Sequence, residues 1–529
     1  MSKFNRGTKP LTRAALTVTH EGGKAYVRDA KSDLVMLAVV NMVGEDTFYE
    51  KAADRDDRYA NLVRTVAVED GAWTARFVAW LRGEAQMRSA SLVAAAQAVH
   101  ARLEAGLHGD NRQLVDAACQ RPDEPGEFLA YWTGTFGRAL PKPVKRGLGD
   151  AVRRLYGEKA LLKYDTDSKG FRFADVLELT HAAPDPEKPW QGELFRHALD
   201  RRHGRDETVP EALPTVRARA ELMAMPEVER QLVPAQPDAA EVLARAGMTW
   251  EALAGWLQGP MDAAAWEAVL PSMGLMAQIR NLRNFDEAGI SDEAAQRVLD
   301  RLRDPAQIAR SRQFPYRFLS AHRAAPSQRW GHALDAALTA STANVPALPG
   351  RTLVLVDTSG SMQGRVSARS KVTHADVGAL FGAVLAARGC AVDLVGFANG
   401  HFRHELTRGG SVLRDIDRFC DRNGEVGHGT ETVRALRETY DGHERVVLIS
   451  DMQAFAYDGR ESRGVSVSEA VPPEVPVFGV NTTGYGPSAL DGTQPNRHEI
   501  GGFSDKLFTM VSLLSAGREA MWPWDRTAA

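Results

Sequence analysis

The chain has 529 residues, of which 44% are hydrophobic and 25% are charged, and its formal net charge is −3. These proportions are typical of a soluble globular protein, and the length predicts two or three domains. No apolar run approaches the roughly 18 to 20 residues of a membrane span. Three cysteines without a Cys-x-x-Cys pair exclude a disulfide scaffold and a cysteine zinc site. Because the net charge is close to zero, any RNA binding depends on a local basic surface.

The first ten residues carry charge but are followed by no apolar stretch, so the sequence predicts no signal peptide and a cytoplasmic location. Residues 32–343 then have the pattern of consecutive helices with short breaks. Trp73, Phe77, Trp80 and Leu81 recur at helical spacing and indicate one apolar face, which we assign to a core and not to a cofactor site. The clearest predicted helices cover residues 58–68, 71–81, 91–103, 111–118, 126–135, 249–258 and 263–270. Irregular pairs of this kind predict an all-α, HEAT-like helical repeat.

Residues 342–350 contain two prolines and a glycine, which predicts the end of the helical region. Strands are predicted at 352–356, 391–397, 445–450 and 475–480, alternating with helices at 372–387, 412–420, 432–440 and 503–516. This alternation predicts a doubly wound, Rossmann-like α/β domain with a mostly parallel sheet. Residues 457–473 are predicted to be a surface loop with one short helix. The sequence therefore predicts a multidomain chain, divided into residues 1–345 and 346–529.

Oxygen-bearing side chains cluster where the predicted strands end. Asp357, Ser359 and Ser361 follow the first strand, Thr430 precedes a helix, and Asp451 follows a second apolar strand. Ligands of doubly wound sheets bind outside the carboxyl ends of the strands, so we expect these side chains to meet there. Such hard oxygen ligands suit a divalent cation, Mg²⁺ or Mn²⁺. Because three of the five ligands are neutral hydroxyls, the ion would keep affinity for an anionic oxygen of a partner.

Two other interpretations of these residues are open. Residues 357–361 alone also fit a tight turn with a helix cap, although Thr430 and Asp451 in the required order favour the metal site. A phosphoryl-transfer site of the Asp-x-Asp type is disfavoured because Ser359 stands at the second position. No nucleophile with its base is recognisable, so we predict no catalytic residue and no enzyme activity. The three-part motif resembles the metal-ion-dependent adhesion site of von Willebrand factor A domains.

A basic segment lies in the helical region. Between Gly134 and Lys163 the sequence contains eight Lys or Arg residues but only two acidic residues, Asp150 and Glu158. Phosphate contacts supply most sequence-independent affinity for nucleic acid, so this excess is a candidate RNA surface. The alternative is a solvated helix face. The eight basic residues are Arg138, Lys142, Lys145, Arg146, Arg153, Arg154, Lys159 and Lys163.

Residues 131–147, 161–164 and 173–184, with 21–26 and 277–282, resemble the TROVE module of the Ro autoantigen and telomerase-associated families. A TROVE module followed by an A domain, over nearly the full chain, is the architecture of the Ro family. The resemblance implies a ring of helical repeats, monomeric and closed by the A domain, with a basic central hole. It also implies binding of small noncoding Y RNA on the outer surface and of single-stranded 3′ ends in the hole, without RNA cleavage. An exoribonuclease is the protein partner that it implies.

The resemblance also assigns candidate RNA contacts: Arg138, Lys142, Lys145, Arg146, Lys163, Lys169, Arg172, His181 and Arg280. Residues 163–175 depart from the family pattern and are one residue longer, which leaves contacts around Lys169 and Arg172 open. His181 alone would also fit a structural histidine, and Arg280 a helix cap. Two other functions compete with RNA binding. One is a metal-dependent protein adhesion scaffold, and the other is a chelatase-like or hydrolytic assembly subunit, for which the sequence has no Gly-rich nucleotide loop with Lys-Ser/Thr.

Overall fold

The computed structural model describes residues 16–18, 24–26, 30–40, 52–205, 208–325, 327–366, 370–450, 466–482, 490, 494, 496–501, 507–515, 522 and 524. A helical region comes first and an α/β domain follows it. None of the helices in the described ranges is both long and apolar enough to cross a membrane.

The helical region begins with a short antiparallel pair of strands, β1 (Leu16–Val18) and β2 (Lys24–Tyr26). The helices that follow are α1 (Ala30–Val40), α2 (Ala52–Glu69), α3 (Gly71–Gly83), α4 (Arg88–Glu104), α5 (Asn111–Ala118), α6 (Glu124–Phe136), α7 (Lys142–Leu155), α8 (Glu158–Tyr164), α9 (Phe173–Thr180), α10 (Pro189–His203), α11 (Pro214–Met223), α12 (Glu227–Arg230), α13 (Ala239–Arg245), α14 (Trp250–Leu257), α15 (Ala263–Val269), α16 (Leu275–Ala288), α17 (Asp292–Arg303), α18 (Pro305–Ser311), α19 (Pro315–Ala324) and α20 (Gln328–Ser341).

The apolar stripes of these helices form the core. Trp73, Phe77, Trp80 and Leu81 are all buried along α3, as their helical spacing predicts. Close approach between helices needs small residues. A Cβ atom on Gly147 of α7 would lie 2.5 Å from a backbone oxygen of α5, so α5 and α7 pack this closely only because position 147 is glycine.

The α/β domain contains one described six-stranded sheet with the order β5-β4-β3-β6-β7-β8. Its strands are β3 (Arg351–Asp357), β4 (Ala391–Phe397), β5 (His401–His404), β6 (Arg445–Ser450), β7 (Val477–Asn481) and β8 (Arg497–Gly501), and its helices are α21 (His374–Ala387), α22 (Val412–Cys420), α23 (Thr432–Thr439) and α24 (Leu507–Ser515). All pairs are parallel except β4 with β5. The central strands β6 and β7 are buried along their whole length, as expected for a parallel sheet covered on both faces.

The predicted fold class, a helical-repeat ring with a doubly wound α/β domain, is confirmed. Strands β4 and β6 coincide with the predicted bounds, whereas β7 begins two residues later than predicted. The two edge strands β5 and β8 were missed, because His and Arg side chains interrupt their apolar pattern. In the predicted loop at 457–473, residues 457–465 lie outside the described residues, and Val467–Glu469 form a 3₁₀ turn.

The helical region contacts the α/β domain near both the first and the last helices of the region. On the C-terminal side, Arg323 of α19 forms ion pairs with Asp376 of α21 at 2.6 Å and with Asp417 of α22 at 2.7 Å. On the N-terminal side, Trp73 of α3 packs edge-on against Trp522, with ring centroids 5.3 Å apart. Because the first and last parts of the helical region meet the same domain, the chain closes into a ring.

Candidate functional site

The metal site predicted from the sequence lies at the carboxyl end of β3, at one edge of the sheet. Asp357 is fully buried, and its Oδ1 accepts a hydrogen bond from the backbone N–H of Ser359 at 2.8 Å. Its Oδ2 accepts from the hydroxyl of Ser450, the last residue of β6, at 2.8 Å. The hydroxyl oxygens of Ser359 and Ser361 lie 3.2 Å apart. Three of the five predicted ligands are therefore gathered at one point.

The loop that carries Thr430 is fixed to the same side of the sheet. The backbone N–H of Thr358 donates to the carbonyl of Phe397 at 2.8 Å, and the N–H of Glu431 donates to the carbonyl of Ala398 at 2.9 Å. Phe397 and Ala398 are consecutive residues at the end of β4. Because both loops bind this one strand end, Thr430 is held near the edge where β3 ends.

Asp451, the fifth predicted ligand, lies outside the described residues, although it directly follows β6 in the sequence. No group of three or more His, Cys, Asp or Glu side chains within the described ranges could hold a metal ion. Among the described residues, hydroxyl oxygens accompany the carboxylate of Asp357 at this edge. This donor set is chemically suited to Mg²⁺ or Mn²⁺. Ser450 was not singled out in the sequence, and its place immediately before Asp451 was the only signal for it.

Helix α7 carries part of the basic segment, with Lys142, Lys145 and Arg146 near its start. Val144 and Leu148 are buried, whereas Lys142 and Arg146 are exposed and Lys145 is half-buried. Among the residues that the structure describes, none of these three cations forms an ion pair. The helix begins after a proline without a side-chain cap, and its first turn has no acidic residue. The three cations therefore crowd an uncompensated helix N-terminus.

The turn that contains His181 packs onto the same helix. His181 ends α9 with a left-handed φ of 54° and is exposed. The next residue, Ala182, lies against Gly149, and Arg153 donates from Nε to the carbonyl of Ala183 at 2.9 Å. Since Gly149 is one helical turn beyond Lys145, the structure brings His181 beside the basic face of α7.

Arg172 is held by acidic residues. Its guanidinium forms ion pairs with Asp165 at 2.9 Å and with Asp167 at 2.7 Å, and Arg201 also binds Asp165. Burial raises the pKa of Asp165, but the hydrogen bonds from Arg172 and the backbone of Phe173 and the nearby guanidinium charges outweigh it, so the pKa is lowered. Asp165 thus joins Arg172 to the start of α9 through the N–H of Phe173 and to α10 through Arg201.

The other candidate RNA contacts fall into two classes. Lys169 lies 3.4 Å from carboxylate oxygens of both Asp123 and Glu127 and is only half-exposed. Three more are exposed and form no ion pair within the described part of the chain: Arg138, Lys163 and Arg280. Arg280 is the sixth residue of α16, so it caps neither end of that helix.

The fold is similar to that of a solved structure. The crystal structure of the Deinococcus radiodurans Ro (RSR) protein superposes with a TM-score of 0.69, at 19% sequence identity, and the match covers 94% of this chain and 100% of that one. The TROVE domain family model matches residues 245–328. The chain therefore has the fold of the Ro (RSR) protein, and residues 245–328 are similar to the TROVE domain family. Of the segments that carried the sequence resemblance, the family match contains residues 277–282.

Curated relatives match over a shorter stretch. Telomerase protein component 1 of Mus musculus is 42% identical over 62 residues, as is the Rattus norvegicus protein. These matches cover 11% of this chain, which spans about 2% of the length of either relative. The similarity to these relatives is therefore confined to a segment of the chain.

Proposed function

We propose that this chain is an RNA-binding scaffold of the Ro type. It binds Y-like small noncoding RNA and the single-stranded 3′ ends of structured or misfolded RNA, for RNA quality control or processing. It acts in the cytoplasm as a monomeric ring with an exoribonuclease as partner, and it does not cleave RNA itself. The TROVE match and the ring fold support this proposal.

The observation that carries the proposal is the first turn of α7. A helix N-terminus is equivalent to about half a positive charge, so cations placed there are destabilising. Lys142 and Lys145 lie in this turn and Arg146 directly follows it, with no acidic partner among the described residues. Because Pro141 and Pro143 have no N–H, the backbone can offer only the N–H groups of Lys142 and Val144 in this turn, and the three cationic side chains supply the main donors to phosphate oxygens. An RNA backbone would supply the missing negative charge.

His181 adds a second kind of contact. Single-stranded RNA is recognised through unstacked bases as well as phosphates, and an imidazole ring offers both a stacking face and hydrogen-bonding nitrogens. His181 is exposed in a turn that packs on α7, one helical turn from Lys145. A strand whose phosphates contact the first turn of α7 would bring a base to His181.

Not every candidate contributes equally to this surface. Lys142, Lys145, Arg146, Arg138 and His181 lack acidic partners within the described ranges, so phosphates have no competitor there. To bind RNA, Arg172 would have to break its ion pairs with Asp165 and Asp167, which would destabilise the loop. We therefore assign Arg172 to the support of the RNA surface and the α7 cations to phosphate contacts.

A second candidate function, a metal-dependent protein adhesion scaffold, rests on the edge at β3. Asp357, Ser359 and Ser361 lie together there, with Thr430 held near by the anchoring of its loop. These residues, with Asp451, would hold Mg²⁺ or Mn²⁺, which when bound attracts an anionic oxygen of a partner. The chain's own contribution is the pre-formed hydroxyl cluster and the orientation of Asp357 by Ser450.

The test of the RNA proposal is the salt dependence of binding. Lys142→Glu, Lys145→Glu and Arg146→Glu combined should weaken RNA binding broadly and flatten the log–log salt slope by roughly 0.7 to 0.9 for each lost phosphate contact. Filter binding of a small structured RNA measures both. The control is the triple Arg297→Glu, Arg303→Glu and Arg310→Glu, which makes the same change in net charge at exposed positions of α17 and α18. Equal losses in both triples would show that only overall charge matters.

A further inference from the structure

Exposed apolar side chains are concentrated at α12. Among the described residues with large hydrophobic side chains, Met223 is 46% exposed, Val228 81% and Leu232 62%. These three lie within ten residues of sequence, whereas the other two exposed examples, Val68 and Leu107, lie elsewhere. We call residues 221–232 the α12 surface. A local concentration of this kind is typical of an interaction site.

The α12 surface is held in place by polar contacts. None of the four described residues of α12 is buried. Arg230 donates from Nε to the carbonyl of Met225 at 3.1 Å and from Nη1 to the carbonyl of Trp256 at 3.3 Å, and it lies 5.8 Å from the Trp256 ring centroid. Gln231 donates to the carbonyl of Leu257 at 2.5 Å. The segment is therefore ordered without burying Val228.

Two of the exposed apolar side chains, those of Val228 and Leu232, share one side of this segment. Val228 and Leu232 are four residues apart, and the N–H of Leu232 donates to the carbonyl of Glu229 at 3.0 Å, so the helical turn continues to Leu232. Residues at this spacing lie one above the other on a helix surface. The pair is thus pre-organised to receive apolar side chains of another molecule.

The charge around the pair is predominantly negative. Between residues 220 and 242 the only Lys or Arg is Arg230, and it already binds two backbone carbonyls. The acidic residues of this stretch are all exposed, and none forms an ion pair within the part of the chain that the structure describes. They are Glu221, Glu227, Glu229, Asp238 and Glu241. This surface repels RNA phosphates and anionic lipids and attracts cationic groups.

We infer that the α12 surface is a docking site for a basic amphipathic segment of a partner protein. Apolar side chains of that segment pack on Val228, Leu232 and Met223, and its Lys or Arg residues pair with Glu227 and Glu229. This is the recognition mode in which apolar anchors give affinity and charges around them give orientation and on-rate. The inference does not depend on the RNA proposal, because the two surfaces have opposite charge.

The experiment uses the full chain and a fluorescein-labelled, 18-residue synthetic peptide with Leu at helical spacing and Lys on the other face. Anisotropy titrations should show binding of this peptide to the wild type. A scrambled peptide of the same composition, and one with Glu in place of Lys, should bind at least about tenfold more weakly, which corresponds to about 1.4 kcal/mol. Equal binding of the scrambled peptide would overturn the inference.

Variants then locate the site. Val228→Ser with Leu232→Ser should weaken peptide binding about tenfold or more, whereas the control Val68→Ser with Leu107→Ser should not. Glu227→Gln with Glu229→Gln removes two charges without changing shape, so it should flatten the salt dependence of peptide binding even if the serine variant folds poorly. Unchanged affinity in both α12 variants would overturn the inference.

Two further results would assign the surface to a different occupant. If sedimentation velocity shows a dimer that Val228→Ser with Leu232→Ser dissolves, the occupant is a second copy of this chain. If the same variant loses structured RNA as strongly as peptide, the occupant is RNA. Either result overturns the inference of a basic partner segment, and only the second would also bear on the RNA proposal.

Discussion

Arg312 donates a hydrogen bond from Nη1 to the backbone carbonyl of Gly83 at 2.6 Å, although the two residues are 229 positions apart in the sequence. Gly83 is the last residue of α3, and Arg312 follows the end of α18. The same helix α3 packs against Trp524 of the C-terminal segment. Helix α3 is therefore where the ring closes, through one polar contact and one aromatic cluster.

The aromatic cluster should carry most of this closure. Trp522 and Trp524 stack with ring centroids 5.5 Å apart, and Trp73 meets both edge-on at 5.3 and 5.2 Å. Each aromatic pair contributes about 0.5 to 1.5 kcal/mol beyond its buried area. Trp522→Ala with Trp524→Ala should lower the melting temperature and increase the radius of gyration in small-angle scattering. Arg312→Ala, the control, removes only an exposed contact and should change both much less. Unchanged scattering from the double variant would contradict a closure that depends on the tryptophans.

Metal binding should depend on Asp357. Asp357→Ala removes the buried carboxylate at the end of β3 and should abolish binding of Mg²⁺ or Mn²⁺, measured by calorimetry, while RNA affinity stays nearly unchanged. Ser450→Ala is the milder variant for comparison, because it removes only the hydroxyl that donates to Asp357. It should lower the affinity for the ion less than Asp357→Ala does. Undiminished metal binding by Asp357→Ala would place any ion elsewhere.

Asp123 should make stability depend on acid pH. Burial raises the pKa of Asp123, but the hydrogen bond and charge of Arg121, with the charges of Arg88 and Lys169, outweigh it and lower the pKa to about 2. A folded-state pKa below the usual value of 3.8 stabilises the fold above pH 3.8, and this contribution is lost as the pH falls through about 2. It amounts to roughly 2 kcal/mol, at about 1.4 kcal/mol for each pH unit.

Replacing Asp123 tests the direction of this pH dependence of stability. Asp123→Asn should lower the melting temperature at pH 7 and remove part of its decline between pH 4 and 2. The matched control is Asp116→Asn, because Asp116 has a more exposed ion pair with Arg154 and surface pairs contribute at most about 1 kcal/mol. A decline as steep in Asp123→Asn as in the wild type would show that other carboxylates control acid unfolding.

Local sequence patterns were sufficient for most of the fold. Helix α5 and strands β4 and β6 lie where periodicity places them, because apolar spacing and strand-ending polar residues are local signals. The edge strand β5, His401–His404, depends on antiparallel pairing with β4, which fixes its backbone whatever its side chains are. Such pairing has no local signal in the sequence.

The candidate sites were predictable to different degrees. The order of residues was enough to bring Asp357, Ser359 and Ser361 together, since they share one loop after one strand. The ion pair between Arg172 and Asp165 was not predicted, although it joins residues only seven positions apart, because it depends on the path of a loop. The contact of Trp73 with Trp522 joins the two ends of the chain and follows only from the closed ring.

The last prediction concerns the single-stranded 3′ end. A ring lined with basic side chains reaches the phosphates and unstacked bases of a single strand, whereas a duplex does not thread through it. Structured RNA with a single-stranded 3′ tail should therefore bind more tightly than the same RNA trimmed blunt. His181→Ala should reduce this tail-dependent difference by about fivefold, equivalent to roughly 1 kcal/mol, the lower end of the range for a base contact. The control is His108→Ala, which removes another exposed imidazole. Equal affinity for tailed and blunt RNA in gel-shift titrations at physiological salt would rule out the expected binding through a central hole and leave the outer surface as the RNA site.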